Sequence, residues 1–438
     1  MKRAQILYFL VVPLTRIMMW VYYRKIHLSN MDRIPQNKPV ILGVNHPTGF
    51  SEPVILAMAT GRPLYFLVRG DFFQKPIFRF LLRSLNMVPI YRRMDTNFRG
   101  VAQNLSTFEE CYQTLRANRT LCIFPEGNTK HEKKLRPLQK GLGRIAHGAL
   151  ERFTDMDELY VVPVGVNYTY AEQPRSTVMI DFGEPINVAE IRDAYPDNRM
   201  RTVTEVTKTL HREMGKRIVQ VKDDERKEII EYMLRLQRSE YPEPVFPIIT
   251  QKKEPLRREL AVAREVQSWS DEHTTEVEEA AHAYFNTLKK YGIRDDTVAT
   301  PSAYTAGHTA FLMLTALPAL LGQAFIWLPR RLAFWIRDTK VKRIEFFSPV
   351  LQAAGLGAFL GYYFFWIILS LALGVWWLLP FTVLLGMVGY LSTPWRESLA
   401  RWQRSRTFRR LPKKEQEQLK KQRATLLEAL PKGSLSEA

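Results

Sequence analysis

The sequence predicts an α/β layered domain, then a charged helical region, then a membrane hairpin near the C-terminus. Three observations predict this. Between about Lys38 and Glu184, short runs rich in β-branched and aromatic residues alternate with helix-like runs. From about Asn187 to Asp296 the pattern is helical and charged. From Phe346 to Trp395 there is no charged residue at all, a run of 50 residues. The full length of 438 residues allows two or three domains at roughly 100–200 residues each.

The first element is apolar and aromatic, Ile6–Tyr23, but holds Arg16 in mid-run and is flanked by Lys2, Arg3, Arg24 and Lys25. Basic residues on both flanks and one inside predict an amphipathic helix lying in the headgroup plane, within residues 1–30. A membrane span is the alternative. No small-residue cleavage site follows it, so a cleaved leader is not expected. Six strands are predicted next, within a domain at 31–186: Val40–Val44, Leu64–Val68, Met87–Tyr91, Thr120–Phe124, Leu159–Val166 and Val178–Phe182. Among them, Val101, Leu105, Phe108, Tyr112 and Leu115 recur at spacings of four and three, one face of a helix. Residues 187–300 form the charged helical region, interrupted by the proline-rich extended linker Tyr241–Pro247.

Residues 301–395 form the predicted membrane region. One span needs about 20 apolar residues, so the charge-free run fits a transmembrane hairpin at about 347–394, turning near Leu371–Gly374. The earlier apolar stretch, about 311–328, is marginal in length and contains Pro318, Gly322 and Gln323. Arg330, Arg331, Arg337, Lys340, Lys342 and Arg343 follow it, and the tail at 396–438 is also basic. Positive segments stay cytoplasmic. Both can do so only if the hairpin returns to its own side, so 311–328 reads as re-entrant or interfacial. The expected location is an integral membrane protein, in the inner membrane if bacterial, with the N-terminal domain on the cytoplasmic face. The end, Leu430–Ala438, is expected to lack order.

Composition excludes several classes. With 46% hydrophobic and 24% charged residues the chain is not disordered or low-complexity. Two cysteines, Cys111 and Cys122, exclude a disulfide framework and a multi-cysteine zinc site. The net charge of +19 calls for an anionic partner. The basic residues are spread without a nucleic-acid reader module, so a lipid surface or an acidic substrate is expected and nucleic acid is not. Phosphate-loop, Gly-x-Ser-x-Gly and His-Glu-x-x-His signatures are absent.

The chemistry concentrates in four places. In Val44-Asn-His-Pro-Thr-Gly-Phe-Ser-Glu-Pro53 a histidine leaves a strand and a carboxylate follows a turn. Imidazole can take a proton from an attacking hydroxyl, and a carboxylate on its other nitrogen fixes the tautomer, which pairs His46 with Glu52. Ile123-Phe-Pro-Glu-Gly-Asn-Thr129 puts Glu126, Gly127 and Thr129 at a strand's C-terminal end, where α/β sheets hold ligands. Val88-Pro-Ile-Tyr-Arg-Arg93 leads a strand into Arg92 and Arg93, guanidinium forks suited to phosphate. Leu138-Gln-Lys-Gly-Leu-Gly143 puts Lys140 at a helix start.

Taken in order, these blocks resemble the phospholipid/glycerol acyltransferases, which acylate glycerol 3-phosphate or lysophosphatidate. The family's Asn-His-x4-Asp is matched by Asn45, His46 and the carboxylate after them; its second block by Asn86 to Arg92; its Phe-Pro-Glu-Gly-x-Ser/Thr by Phe124, Pro125, Glu126, Gly127 and Thr129; its Val-Pro-Val strand by Val162, Pro163 and Val164. The match covers roughly Lys38–Glu184. The C-terminal hairpin is similar to bacterial members with extra membrane segments. Two departures stand out. The position five after His46 is Ser51, with Glu52 one further on, and Asn86 replaces the usual glycine of the second block.

The resemblance implies a mixed sheet and an O-acyltransferase. Its donor is an acyl thioester, on coenzyme A or an acyl carrier protein, and its acceptor is glycerol 3-phosphate or lysophosphatidate. It implies catalysis by His46 and Glu52, and acceptor binding by Arg92, Glu126 and Gly127, with Arg93, Thr129 and Lys140 as further contacts. Backbone N–H groups near Gly127 are the expected oxyanion donors. No bound cofactor or metal is implied. Expected partners are the bilayer, the phosphate-bearing acceptor and, for one donor, the carrier protein. O-acylation of another lyso-lipid, such as an aminolipid, and a catalytically inactive lipid-binding protein are the alternative readings.

Overall fold

The computed structural model describes residues 2–91, 104–300 and 305–431. The chain forms two compact units. The first is Met1–Gln220 with Ile248–Lys253 and Arg343–Pro349; the second is Val221–Pro247, Glu254–Lys342 and Val350–Ala438.

The first unit opens with α1 (Lys2–Tyr22) and turns directly into β1 (Lys25–Ser29). The sequence reading gave residues 1–30 to the helix alone. Lys25 and His27 hide the strand because they break its apolar pattern, yet both are buried. A bond between His27 Nδ1 and Thr250 Oγ1 at 2.8 Å ties β1 to a distant strand, β9 (Ile249–Thr250). The elements between are β2 (Val40–Val44), α2 (Ser51–Ala59), β3 (Leu64–Arg69), α3 (Pro76–Ser84), β4 (Met87–Ile90), α4 (Asn104–Arg116), β5 (Thr120–Ile123), α5 (Gly141–Arg152), β6 (Tyr160–Tyr168), β7 (Thr177–Phe182) and β8 (Ile186–Asn187). Two helices, α6 (Val188–Ala194) and α7 (Arg199–Gly215), complete the unit beyond the predicted boundary at 186.

The sheet runs β4-β3-β5-β2-β6-β7-β1-β9, with β8 paired to β6. Pairs from β4 to β6 are parallel, β6 and β7 are antiparallel, and β7, β1 and β9 are parallel again. It is the mixed sheet that the resemblance implied. β2 lies centrally and every one of its residues is buried, as a strand covered on both faces must be. Leu142 of α5 and Leu210 of α7 approach β2 so closely at Gly43 that a Cβ there would stand 2.9 Å from Leu210 methyls. Cys111 and Leu115 of α4 pack with Ile145, Ala146 and Ala149 of α5 in one continuous core. The predicted strands are therefore present, and the central one delivers Asn45 and His46 to the C-terminal edge of the sheet.

The second unit is helical: α8 (Lys227–Glu240), α9 (Glu254–Ser268), α10 (Asp271–Lys290), α11 (Asp295–Ala299), α12 (Ala306–Leu314), α13 (Ala316–Lys340), α14 (Phe347–Leu373, from Val350 on), α15 (Leu378–Arg410) and α16 (Lys413–Glu428). The segments Ile344–Leu373 and Leu378–Arg410 are each long and apolar enough to cross a membrane. Between them Gly374 turns the chain at φ +66°, a conformation glycine adopts without steric cost. α12 and α13 meet at Thr315 with a 51° bend, the shape of a broken span or a re-entrant loop. α13 continues to Lys340, so Arg330, Arg331, Arg337 and Lys340 lie on that helix. Residues 396–410 likewise continue α15, and α16 folds back. Its buried Arg423 pairs with Asp295 at 2.9 Å and with Glu240 at 2.6 Å, while Tyr284 donates to Asp295 at 2.5 Å. The last residues, 432–438, lie outside the described residues.

Candidate active site

The loop after β2 is built around buried polar groups. Asn45 bonds in both directions to the backbone of Val166 on the neighbouring β6: Nδ2 donates to its carbonyl at 2.9 Å, and Oδ1 accepts its N–H at 2.7 Å. This pair of hydrogen bonds holds the end of β2 against β6. His46 follows, and its ring stacks on Phe124 with centroids 4.1 Å apart and 24° between planes. Its Nδ1 lies 2.9 Å from Glu52 Oε2. Among the described residues Nε2 has no hydrogen-bond partner, and the side chain is 15% exposed. The histidine therefore has one nitrogen oriented and the other open.

Glu52, in the first turn of α2, is fully buried. Its second oxygen accepts from the Thr48 N–H at 3.1 Å, the Thr48 hydroxyl at 2.7 Å and the Tyr168 phenol at 2.9 Å. Burying a carboxylate is costly unless it is hydrogen-bonded; four donors meet that need here. Burial, and next the Glu52 charge, push the Tyr168 phenol well above its ordinary pKa, so it stays a donor. The extra residue between histidine and carboxylate is absorbed by the helix start: Ser51 turns into the core and Glu52 reaches the imidazole.

The Phe-Pro-Glu-Gly turn supports this loop from the side. Glu126 Oε2 accepts the His46 backbone N–H at 2.9 Å and pairs with Arg136 at 2.9 Å; its Oε1 accepts the Arg136 N–H at 3.1 Å. Both oxygens are thus engaged by protein donors. Gly127, at φ +78°, donates its N–H to the Phe124 carbonyl at 3.1 Å, so that amide closes the turn. Arg136 was missed in the sequence. It stands alone between loop residues and has no spacing signal, but it also bonds Asn128, through the side-chain oxygen and through the carbonyl at 2.6 Å.

A third support comes from residues 343–348, which belong to this unit. Gly49 donates its N–H to the Glu345 carbonyl at 3.0 Å. The Phe346 ring occupies the space beside Gly49, where a Cβ would stand 2.6 Å from ring carbons. Tyr22 donates to Ser348, which donates to the Ala171 carbonyl at 2.5 Å. The His46 loop is clamped between the sheet and this segment.

Of the remaining predicted residues, Arg92 and Arg93 lie outside the described residues. Lys140 donates to Thr204 Oγ1 at 3.0 Å, and the Thr129 carbonyl accepts from Arg343 at 3.5 Å. Neither bond involves the His46–Glu52 pair. Cys111 and Cys122 are buried; burial pushes the Cys111 thiol up to about 12 and the Cys122 thiol further still. In the second unit, Glu228, Glu278 and His282 bring one ligand atom each within 4.8 Å of one another. Glu228 is exposed, and Glu278 and His282 are half-buried.

Residues 25–167 match the family model described as Acyltransferase. The chain is 24% identical over 195 residues to glycerol-3-phosphate O-acyltransferase 1 of Saccharomyces cerevisiae, covering 44% of this chain and 25% of that one. It is 30% identical over 118 residues to the yeast glycerol-3-phosphate O-acyltransferase 2, covering 26% and 16%. It is 26% identical over 144 residues to a probable 1-acyl-sn-glycerol-3-phosphate acyltransferase of Mycoplasma pneumoniae, covering 32% and 51%. The chain thus spans a quarter or less of the yeast proteins' length. Among solved structures, the 1-acyl-sn-glycerophosphate (LPA) acyltransferase PlsC from Thermotoga maritima matches at a TM-score of 0.33 and 21% identity, covering 46% of this chain and 76% of that one.

Proposed function

We propose that the acyltransferase-family domain at residues 25–167 makes this chain an O-acyltransferase that acylates a hydroxyl of glycerol 3-phosphate or lysophosphatidate from an acyl thioester. The observation that carries the reading is the His46–Glu52 contact at 2.9 Å with Nε2 left open. Glu52 holds the proton on Nδ1, which leaves Nε2 as the base. The acceptor hydroxyl attacks the thioester carbonyl as Nε2 takes its proton, and a C–O bond forms. The tetrahedral intermediate collapses, the C–S bond breaks, and the imidazolium returns its proton to the departing thiolate. General-base assistance of this kind contributes about 10²–10⁴-fold.

Glu126 and Arg136 act on this site through the His46 N–H they hold in place. With both Glu126 oxygens engaged, the acceptor phosphate falls to Arg92 and Arg93, with Gly127, Thr129 and Lys140 as weaker contacts. Oxyanion stabilisation falls to N–H groups beside Gly127 other than its own. The hairpin Ile344–Leu373 and Leu378–Arg410 anchors the domain to the bilayer. The basic segments before and after it keep the domain on the cytoplasmic side, where lipid acceptors and both donors are accessible.

The test is acceptor-resolved transfer by the purified full chain, with glycerol 3-phosphate and lysophosphatidate as acceptors and acyl-CoA and acyl carrier protein as donors. Transfer to one of these acceptors supports the reading. Transfer only to another lyso-lipid corrects the acceptor. No transfer from either donor contradicts the reading and leaves a lipid-binding protein.

A further inference from the structure

In the second unit, α13 and α15 cross in direct contact. A Cβ on Gly322 would stand 2.6 Å from the backbone N of Gly389, and one on Gly389 would stand 2.4 Å from Ile326. Small residues that let helix backbones touch bring neighbouring polar groups together. Here Gln323, next to Gly322, donates through Nε2 to Ser392, one turn beyond Gly389. Its Oε1 accepts from two guanidinium groups at once: Arg330 at 3.1 Å and Arg396 at 3.2 Å. Arg330 lies two turns after Gln323 on α13, and Arg396 one turn after Ser392 on α15.

Two cations sharing one neutral amide oxygen are not a closed arrangement. Among the described residues neither guanidinium has a carboxylate partner. Each has five N–H donors and gives one to Gln323. Both are also the first charged residues after an apolar stretch, Arg330 after Leu328 and Pro329, and Arg396 after Trp395. On the membrane reading proposed above, that is headgroup depth, where tryptophan also gathers. A cleft of about 590 Å³ opens here. Arg330, Arg396 and Gln323 line one part of it; Leu320, Ala324 and Leu399 provide apolar wall, with Trp327 and Trp395 beside them. The buried Trp395 N–H lacks an acceptor.

We infer that this cleft binds an anionic phospholipid, its phosphate on Arg330 and Arg396 and an acyl chain against Leu320 and Leu399. The charge asks for an anion, guanidinium pairs suit phosphate oxygens, and the apolar wall asks for a chain attached to it. The site lies wholly within the second unit and makes no use of His46.

The test is native mass spectrometry of the detergent-solubilised full chain, titrated with phosphatidic acid, phosphatidylcholine, glycerol 3-phosphate and inorganic phosphate. Phosphatidic acid should bind most tightly. Arg330→Gln with Arg396→Gln should weaken it at least tenfold, whereas lysine at both positions, which keeps the charge and loses the fork, should fall between that variant and wild type. Should the double glutamine variant fail to fold, Leu320→Gln with Leu399→Gln probes the chain wall and should also weaken the lipid. Phosphatidylcholine binding equally well, or variants binding like wild type, would overturn the inference. Inorganic phosphate or glycerol 3-phosphate binding as tightly as the lipid, and lost in the double glutamine variant, would overturn the lipid and leave a soluble phosphate as the ligand of this cleft. Because the readout is binding in detergent, failure here stands apart from failure of acyl transfer or of the membrane topology.

Discussion

Replacing Glu52 by glutamine isolates what the carboxylate does for His46. In the wild type Oε1 accepts three hydrogen bonds, from Thr48 twice and from Tyr168, and Oε2 faces His46 Nδ1. The glutamine carbonyl will take the position facing the three donors, because an NH₂ group there would meet three hydrogens. Its NH₂ then faces Nδ1 and donates to it. That inverts the tautomer: the imidazole proton moves to Nε2, the nitrogen that must accept. The general-base contribution is lost, so kcat should fall by about 10²–10⁴, or about 3–5 kcal/mol at 1.36 kcal/mol per decade. KM for the acceptor should change little, since Glu52 reaches substrate only through His46. The folding cost is smaller, about 1.5–3 kcal/mol for one charge-assisted bond, and leaves the loop in place. The assay is transfer at saturating donor across acceptor concentrations, beside a thermal melt. Ser51→Ala serves as the register control and should be mild. A Ser51→Ala variant that is dead beside an active Glu52→Gln variant would show that Glu52 does not orient the base.

Further outcomes follow from the same geometry. Gly49→Ala should slow transfer about tenfold or more by driving a methyl into the Phe346 ring; Phe346→Ala should restore part of the loss in the double variant, and strict additivity would refute the clamp. Alkylation with iodoacetamide at pH 8 should leave activity intact, because only thiolate reacts and burial holds Cys111 up at about 12; rapid inactivation with modification at Cys111 or Cys122 would contradict this. Membranes washed with carbonate at high pH should retain the protein, since a 50-residue charge-free run has no place in water; recovery in the wash would refute membrane integration. A cysteine placed in the tail should resist labelling from outside intact cells, and labelling there would put the tail on the wrong side.

Much of the fold was legible because its signals are local. β2 to β7 announce themselves as apolar runs between turns, and the charge-free hairpin needs no partner to be seen. β1 and β9 were not legible. Lys25 and His27 are buried only because strands far along the chain complete them, and a two-residue strand such as β9 has no periodicity. The fold-back of α16 rests on Arg423 finding Asp295 and Glu240, pairings that sequence spacing does not encode. At the site, His46 and Glu52 were readable from chemistry within one loop. Glu126 was readable as a carboxylate at a strand's C-terminal end, but its bonds to the His46 N–H and to Arg136 depend on two loops meeting. The role of residues 343–348 beside Gly49 is equally invisible, since about 300 positions separate them.

His46→Ala tests the central claim most directly. The ring is partly exposed and stacks on Phe124 at the sheet edge, so its removal empties no core and the variant should melt close to wild type. Acyl transfer should fall by about 10² or more with every donor and acceptor that the wild type uses. A folded His46→Ala variant that transfers acyl groups at the wild-type rate would contradict the account, because it would show that the His46 ring does not take the acceptor's proton.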